Sequence, residues 1–120
     1  MSSDEPKLKI KLQIYRGDDI AMGPGKAALL ESIMREGSIS AAGRALGMSY
    51  RRCWMLVEVM NRCWREPLVE TSAGGRSGGG ASLTNMGRHV LALYRGLQSE
   101  LNTANNQPQW RALQQELRAD

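Results

Sequence analysis

The residues best suited to chemistry stand together at Ser49, Tyr50, Arg51 and Arg52. They form no nucleophile–base pair. They are hydrogen-bond donors, and two of them are permanently cationic. A guanidinium can bond O6 and N7 of a guanine at once through two N–H groups, whereas a hydroxyl can reach a phosphate or a base edge. Acids are scarce around them: between Ser38 and Arg65, Glu58 alone opposes Arg44, Arg51, Arg52, Arg62 and Arg65. Such an imbalance favours a polyanionic partner over a self-neutralised solvent face. Two smaller sets have the same character. Ser38 and Ser40 are placed to meet phosphate or to cap a helix, and Arg76 is the only charge in the glycine-rich run from Ser72 to Gly80.

Catalytic chemistry finds no comparable set. The single His89 has no cysteine or acid at metal-ligand spacing, and no nucleophile partner close in sequence. The glycine-rich run lacks the lysine and the following Ser or Thr that a phosphate-binding P-loop requires. The chain is therefore expected to be no enzyme and to need no cofactor or metal.

The elements that must position the cationic cluster can be read from periodicity. Leu8, Ile10, Leu12 and Ile14 alternate with Lys7, Lys9, Lys11 and Gln13, which predicts a strand over 7–16 with one buried face. Gly17-Asp18-Asp19 reads as a turn. Pro24 opens a helix whose apolar face is Leu29, Leu30, Ile33 and Met34, and Gly37 closes it. Ser38 caps a short helix with Ile39, Ala42 and Leu46 inside, stopped at Gly47. Ser49 caps a longer one, from about Tyr50 to about Arg65. Cys53, Leu56, Val57, Met60 and Trp64 make its inner face. Arg51, Met55, Glu58, Arg62 and Arg65 lie roughly opposite. Leu68–Thr71 and Ala81–Leu83 read as the strands of a long-looped hairpin, and Thr84 caps a helix with the stripe Val90, Tyr94, Leu97 and Leu101. A polar linker containing Pro108 leads to a last amphipathic helix with Trp110, Leu113 and Leu117.

Helix, short helix, tight turn, longer helix, hairpin, helix is the order of a winged helix-turn-helix, a mostly α fold with a small β-sheet. Gly43 suits the close crossing of the paired helices, and Gly47 suits a turn that needs positive φ. The first turn of the second helix of such a motif meets base edges in the major groove. Arg51 sits near the centre of the exposed face and Arg52 toward its edge, so Arg51 is the first candidate for base contact. Trp54 lies between core and surface and is read as packing.

The rest of the composition agrees with one small domain. The chain has 120 residues, a net charge of +4, and ordinary hydrophobic and charged fractions of 42% and 23%. Cys53 and Cys63 fall on one helix, about 15 Å apart along its axis, too far for a disulfide, and are read as reduced thiols. No apolar run suits a membrane span and the N-terminus is no signal peptide, so a cytoplasmic location is expected, with no membrane partner.

The run from Gly37 to Trp54 resembles the DNA-binding segment of the molybdate-responsive ModE regulators. So do Leu68-Val69-Glu70-Thr71, the stretch from Gly74 to Ala81, and Leu83-Thr84 with Gly87. More distantly the chain is similar to LysR-type regulators, which share the Gly-Ser-Ile-Ser start and the Leu-Thr-x-x-Gly close. The resemblance covers about Lys7 to Leu101. It implies a bacterial or archaeal transcription regulator, acting as a homodimer on a pseudo-palindromic double-stranded operator. The molybdate-sensing domains of that family have no counterpart before Asp120, and Met1 with a short tail favours a single-domain relative. The expected organisation is a winged helix-turn-helix over 1–101, then a linker and short helix over 102–120. DNA contacts are expected from Ser38, Ser40, Ser49, Tyr50, Arg51, Arg52, Met55, Arg62 and Arg76. The competing expectation is a winged helix used only for protein contact, for which an apolar rather than cationic recognition face would speak.

Overall fold

The computed structural model describes residues 5–72, 79–103 and 107–119. The elements run β1 (Ile14–Arg16), β2 (Asp19–Met22), α1 (Pro24–Glu36), α2 (Ile39–Leu46), α3 (Tyr50–Cys63), β3 (Val69–Ser72), β4 (Gly80–Leu83), α4 (Asn85–Leu101) and α5 (Pro108–Glu116). β1 pairs antiparallel with β2, and β3 with β4, as two separate two-stranded sheets.

Local signals account for most helix ends. Pro24 occupies the first turn of α1, and Gly37 closes it at φ 80°, donating its N–H to the Ile33 carbonyl. The Ser38 hydroxyl accepts from Ala41 N–H and the Ser49 hydroxyl from Arg52 N–H, both at 3.1 Å, and Thr84 Oγ1 accepts from Gly87 N–H at 2.9 Å. Each such cap contributes about 1 kcal/mol. α3 ends at Cys63, two residues before the expected Arg65, because Trp64 turns to an extended backbone ahead of Pro67.

The expected strand over 7–16 is shorter. Only Ile14–Arg16 pairs, because β2 is four residues long and the register shifts between Ile14 and Tyr15. Without a neighbour to form a ladder, the alternation upstream produces no strand. Leu8 and Leu12 are half-buried, Ile10 is 40% exposed, and Lys7, Lys9 and Lys11 are exposed. Tyr94 Oη donates to the Leu12 carbonyl at 2.8 Å and holds this segment against α4. The turn read at Gly17–Asp19 narrows to Gly17 and Asp18, since Asp19 begins β2, a strand with no clear signature of its own.

The core lies between α1, α3, the base of the hairpin and α4. Leu29, Leu30, Ile33, Met60 and Leu68 are fully enclosed, and Tyr94 is nearly so. Met34, expected on the apolar face of α1, is 56% exposed, since it lies one step past the buried stripe. Two close approaches lock the arrangement. A Cβ on Gly43 would stand 2.7 Å from Cys53 Sγ, so α2 crosses α3 with little more than backbone between them. A Cβ on Gly87 would stand 2.1 Å from the Leu68 carbonyl oxygen, so the start of α4 lies directly on the backbone entering β3. α5 has no buried residue; Leu113 and Leu117 are exposed and Trp110 is half-buried.

Candidate nucleic-acid interface

The α2–α3 pair is set by short-range chemistry. Gly47 takes φ 70° and its N–H reaches the Arg44 and Gly43 carbonyls, turning the chain sharply out of α2. Ser32 Oγ, fully buried on α1, donates to the Ala42 carbonyl at 3.1 Å and fixes α2 on the helix beneath. Cys53, Val57 and Met60 then bury the inner face of α3.

The outer face of the first turns of α3 is left to solvent. Ser49, Tyr50, Arg51, Arg52 and Met55 are all exposed, Tyr50 and Met55 by 57% and 56%. Among the described residues, the guanidinium groups of Arg51 and Arg52 have no hydrogen-bond or ion-pair partner. The Ser49 hydroxyl is used as a cap. Tyr50 sets its ring edge-on to Trp54 with centroids 6.1 Å apart, so half-buried Trp54 packs on one side and supports Tyr50 on the other.

The remaining expected residues fall into other places. Ser38 and Ser40 are half-buried at the start of α2, and Ser38 is engaged as the cap. Next to Ser38, the Gly37 carbonyl accepts from Ala81 N–H at 2.9 Å, which brings the hairpin against the α1–α2 turn. A cleft of about 340 Å³ lies there, lined by residues of both strands including Glu70, Thr71, Ser72 and Ser82. Arg62 is 11 residues, or roughly 16 Å, along α3 from Arg51. Its guanidinium pairs with Asp19 at 3.4 Å, so its charge is shared with β2. Arg76 lies outside the described residues.

Three residues not expected from local sequence bear on how α3 is held and charged. Lys26, in the first turn of α1, has its ammonium pKa lowered, mainly by burial and further by the positive charge of Arg52; Cys63 and Asp19 act in the opposite sense. Lys26 stands close enough to Arg52 to feel that charge, beside the first turns of α3. Asp19 neutralises Arg62. Asn61 spends its side chain on the backbone of β3. Only Asn61 carried a signal: an amide side chain inside a helix is unfavourable unless a tertiary contact holds it.

A short helix crossing a longer one at a glycine, followed by an antiparallel hairpin seated on the preceding turn and a capped helix, defines a winged helix-turn-helix. Residues 26–88 match the model of the bacterial regulatory helix-turn-helix proteins of the lysR family, and the chain belongs to that family. It is 44% identical over 84 residues to the molybdenum transport protein ModE of Azotobacter vinelandii, covering 70% of this chain and 31% of that protein. It is 36% identical over 101 residues to the molybdenum-pterin-binding protein MopA of Rhodobacter capsulatus, covering 84% of this chain and 38% of the relative. With the DNA-binding transcriptional dual regulator ModE of Escherichia coli it shares 37% identity over 87 residues, covering 72% and 32%. The chain thus spans about a third of the length of these relatives. Among the described residues no helix is long and apolar enough to cross a membrane, and no cluster of His, Cys, Asp and Glu could hold a metal ion.

Proposed function

We propose that this chain is a transcription regulator that binds double-stranded DNA by seating α3 in the major groove, and that it catalyses no reaction. The carrying observation is the cationic first turn of α3, exposed and without an ion-pair partner among the described residues, on a helix whose opposite face is core. Arg51 reads a base edge, with Arg52 beside it. Ser49, Tyr50 and Met55 fill the surrounding contact. Ser38 and Ser40 meet the phosphate backbone, and Arg76, outside the described residues, adds a contact to phosphate or the minor groove. Arg62, shared with Asp19, supplies charge rather than base contact. Residues 1–101 form the DNA-binding unit and 102–120 a linker with a short helix.

The operator is a pseudo-palindrome gripped by two copies, in the cytoplasm. The apolar groove of about 310 Å³ between Ile14, Trp64 and the Leu93 and Leu97 side of α4 supports pairing, as does the exposed stripe of α5. The names of the relatives point to molybdenum-linked regulation.

Selection from a randomised double-stranded DNA pool, repeated at rising salt, tests the reading. A defined motif should emerge, and affinity should fall steeply with salt as phosphate contacts release counterions. Recovery of no motif, with salt-independent weak binding, would favour the protein-contact reading that exposed Tyr50 and Met55 allow. For the pairing, sedimentation showing only monomer at high concentration would overturn the dimer.

A further inference from the structure

Among the described residues, backbone and side-chain hydrogen bonds tie the β3–β4 hairpin to the body at two places and close its base at a third. Ala81 N–H donates to the Gly37 carbonyl at 2.9 Å. At the base of the hairpin, one step beyond the Val69–Leu83 pair, Thr84 N–H donates to the Leu68 carbonyl at 2.9 Å and Thr84 Oγ1 to the Pro67 carbonyl at 2.6 Å, closing the hairpin where α4 begins. The second attachment comes from α3 itself. Asn61 Oδ1 accepts from the N–H groups of Leu68 and Val69 at 2.8 and 3.1 Å, and Nδ2 donates to the Val69 carbonyl at 3.1 Å. Two N–H donors and one carbonyl acceptor leave the amide a single satisfying orientation. Leu68 and Val69 are 0% and 3% exposed, so these backbone groups have little water to turn to. Among the described residues, Asn61 makes the only hydrogen bonds between α3 and the hairpin.

We infer that Asn61 is a positioning residue: its three bonds fix the hairpin relative to α3, and so determine which flanking DNA the hairpin reaches while α3 occupies the major groove. The inference rests on the DNA-binding reading above. Asn61 touches no DNA in this account. It lies in the last turn of α3, away from the cationic first turn, and acts through the first residues of β3. The Ala81 bond joins the hairpin to the end of α1, and the Thr84 bonds close its base where α4 begins. Without Asn61 the hairpin would keep its fold and lose its angle to the reading helix.

The test uses the full chain and the fragment that it selects most strongly from a randomised double-stranded pool. Hydroxyl-radical footprints and a base-preference profile are recorded for the unaltered protein, Asn61→Ala and Asn61→Asp, with amide exchange at Leu68 and Val69. Asn61→Ala should shrink the flanking protection and weaken binding about tenfold, as the loss of one or two polar contacts would. The base preference at positions read by α3 should stay unchanged. Asn61→Asp keeps both accepted N–H bonds and loses the donated one. It should restore part of the flanking protection, and more of it on acidification, when a protonated carboxyl donates again. Flanking protection unchanged in Asn61→Ala overturns the inference, as does a base preference that flattens in step with affinity, which is general loosening. If Asn61→Ala does not fold, Asn61→Asp decides on the same readouts. If the unaltered protein selects no fragment, the DNA-binding reading itself fails and takes the inference with it.

Discussion

The two ends of α3 are built for opposite purposes. At its first turn Tyr50, Arg51 and Arg52 face solvent, and among the described residues the only side-chain contacts there are the serine cap and the edge of Tyr50 on Trp54. At its last turn every polar side chain is tied to another element. Asn61 holds β3, Arg62 pairs with Asp19, and just beyond the helix Trp64 Nε1 donates to the Ala21 carbonyl of β2 at 3.0 Å. A helix that must enter a groove has to be free at the entering end and immobile at the other. The sheets at both sides of the domain serve the immobile end.

The contrast can be broken or sharpened by substitution. The largest effect should come from the tied end: Trp64→Ala removes half-buried aromatic packing and the bond to Ala21, and should cost about 2–3 kcal/mol in denaturant unfolding. The folded fraction should keep its base preference; an altered preference would mean that the two ends are not separable. Next, Arg51→Ala should leave unfolding stability within about 0.5 kcal/mol of the original, because its side chain is exposed and makes no hydrogen bond or ion pair among the described residues. Its loss should remove about 1–3 kcal/mol of discrimination at one base pair in a randomised-site selection. A profile unchanged at every position would exclude Arg51 from direct reading. Arg62→Ala breaks an exposed ion pair and should cost less than about 1 kcal/mol, with a slightly shallower salt dependence of DNA affinity and no change of base preference. The smallest effect lies away from both ends. Arg95 binds Glu31 across α1 and α4, its Nε donating at 2.9 Å, and this hydrogen bond holds the Glu31 carboxyl below its ordinary value. A lowered folded-state pKa gives stability at neutral pH that disappears as pH falls through the carboxylate range. Both partners are more than a third exposed, so Glu31→Gln should cost well under about 1 kcal/mol at neutral pH and nothing in acid. A pH titration of unfolding stability for both proteins would show it.

What was legible in the sequence follows the same division. Ser38, Ser49 and Thr84 act on N–H groups three residues away, and Gly37 and Gly47 on their own backbone angles, so helix boundaries could be read locally. The inner face of α3 was legible because burial follows its period. What the sequence hid depends on distant partners. Arg62 looks like a free cation until Asp19 arrives from 43 residues away. Leu8 to Ile14 has the alternation of a long strand, but β2 offers too few residues to pair with it. Met34 continues the apolar run of α1 past the point where other elements cover it.

The glycine crossing of α2 over α3 leaves the molecule with a built-in reporter. Cys53 is sealed beneath Gly43, and burial pushes its thiol above the ordinary range, so the reactive thiolate is scarce there. Cys63 stays partly open to solvent. Alkylating reagents should therefore modify Cys63 early. The slower labelling of Cys53 would then clock how often the two helices part, giving the breathing rate of the reading head from a mass spectrum alone.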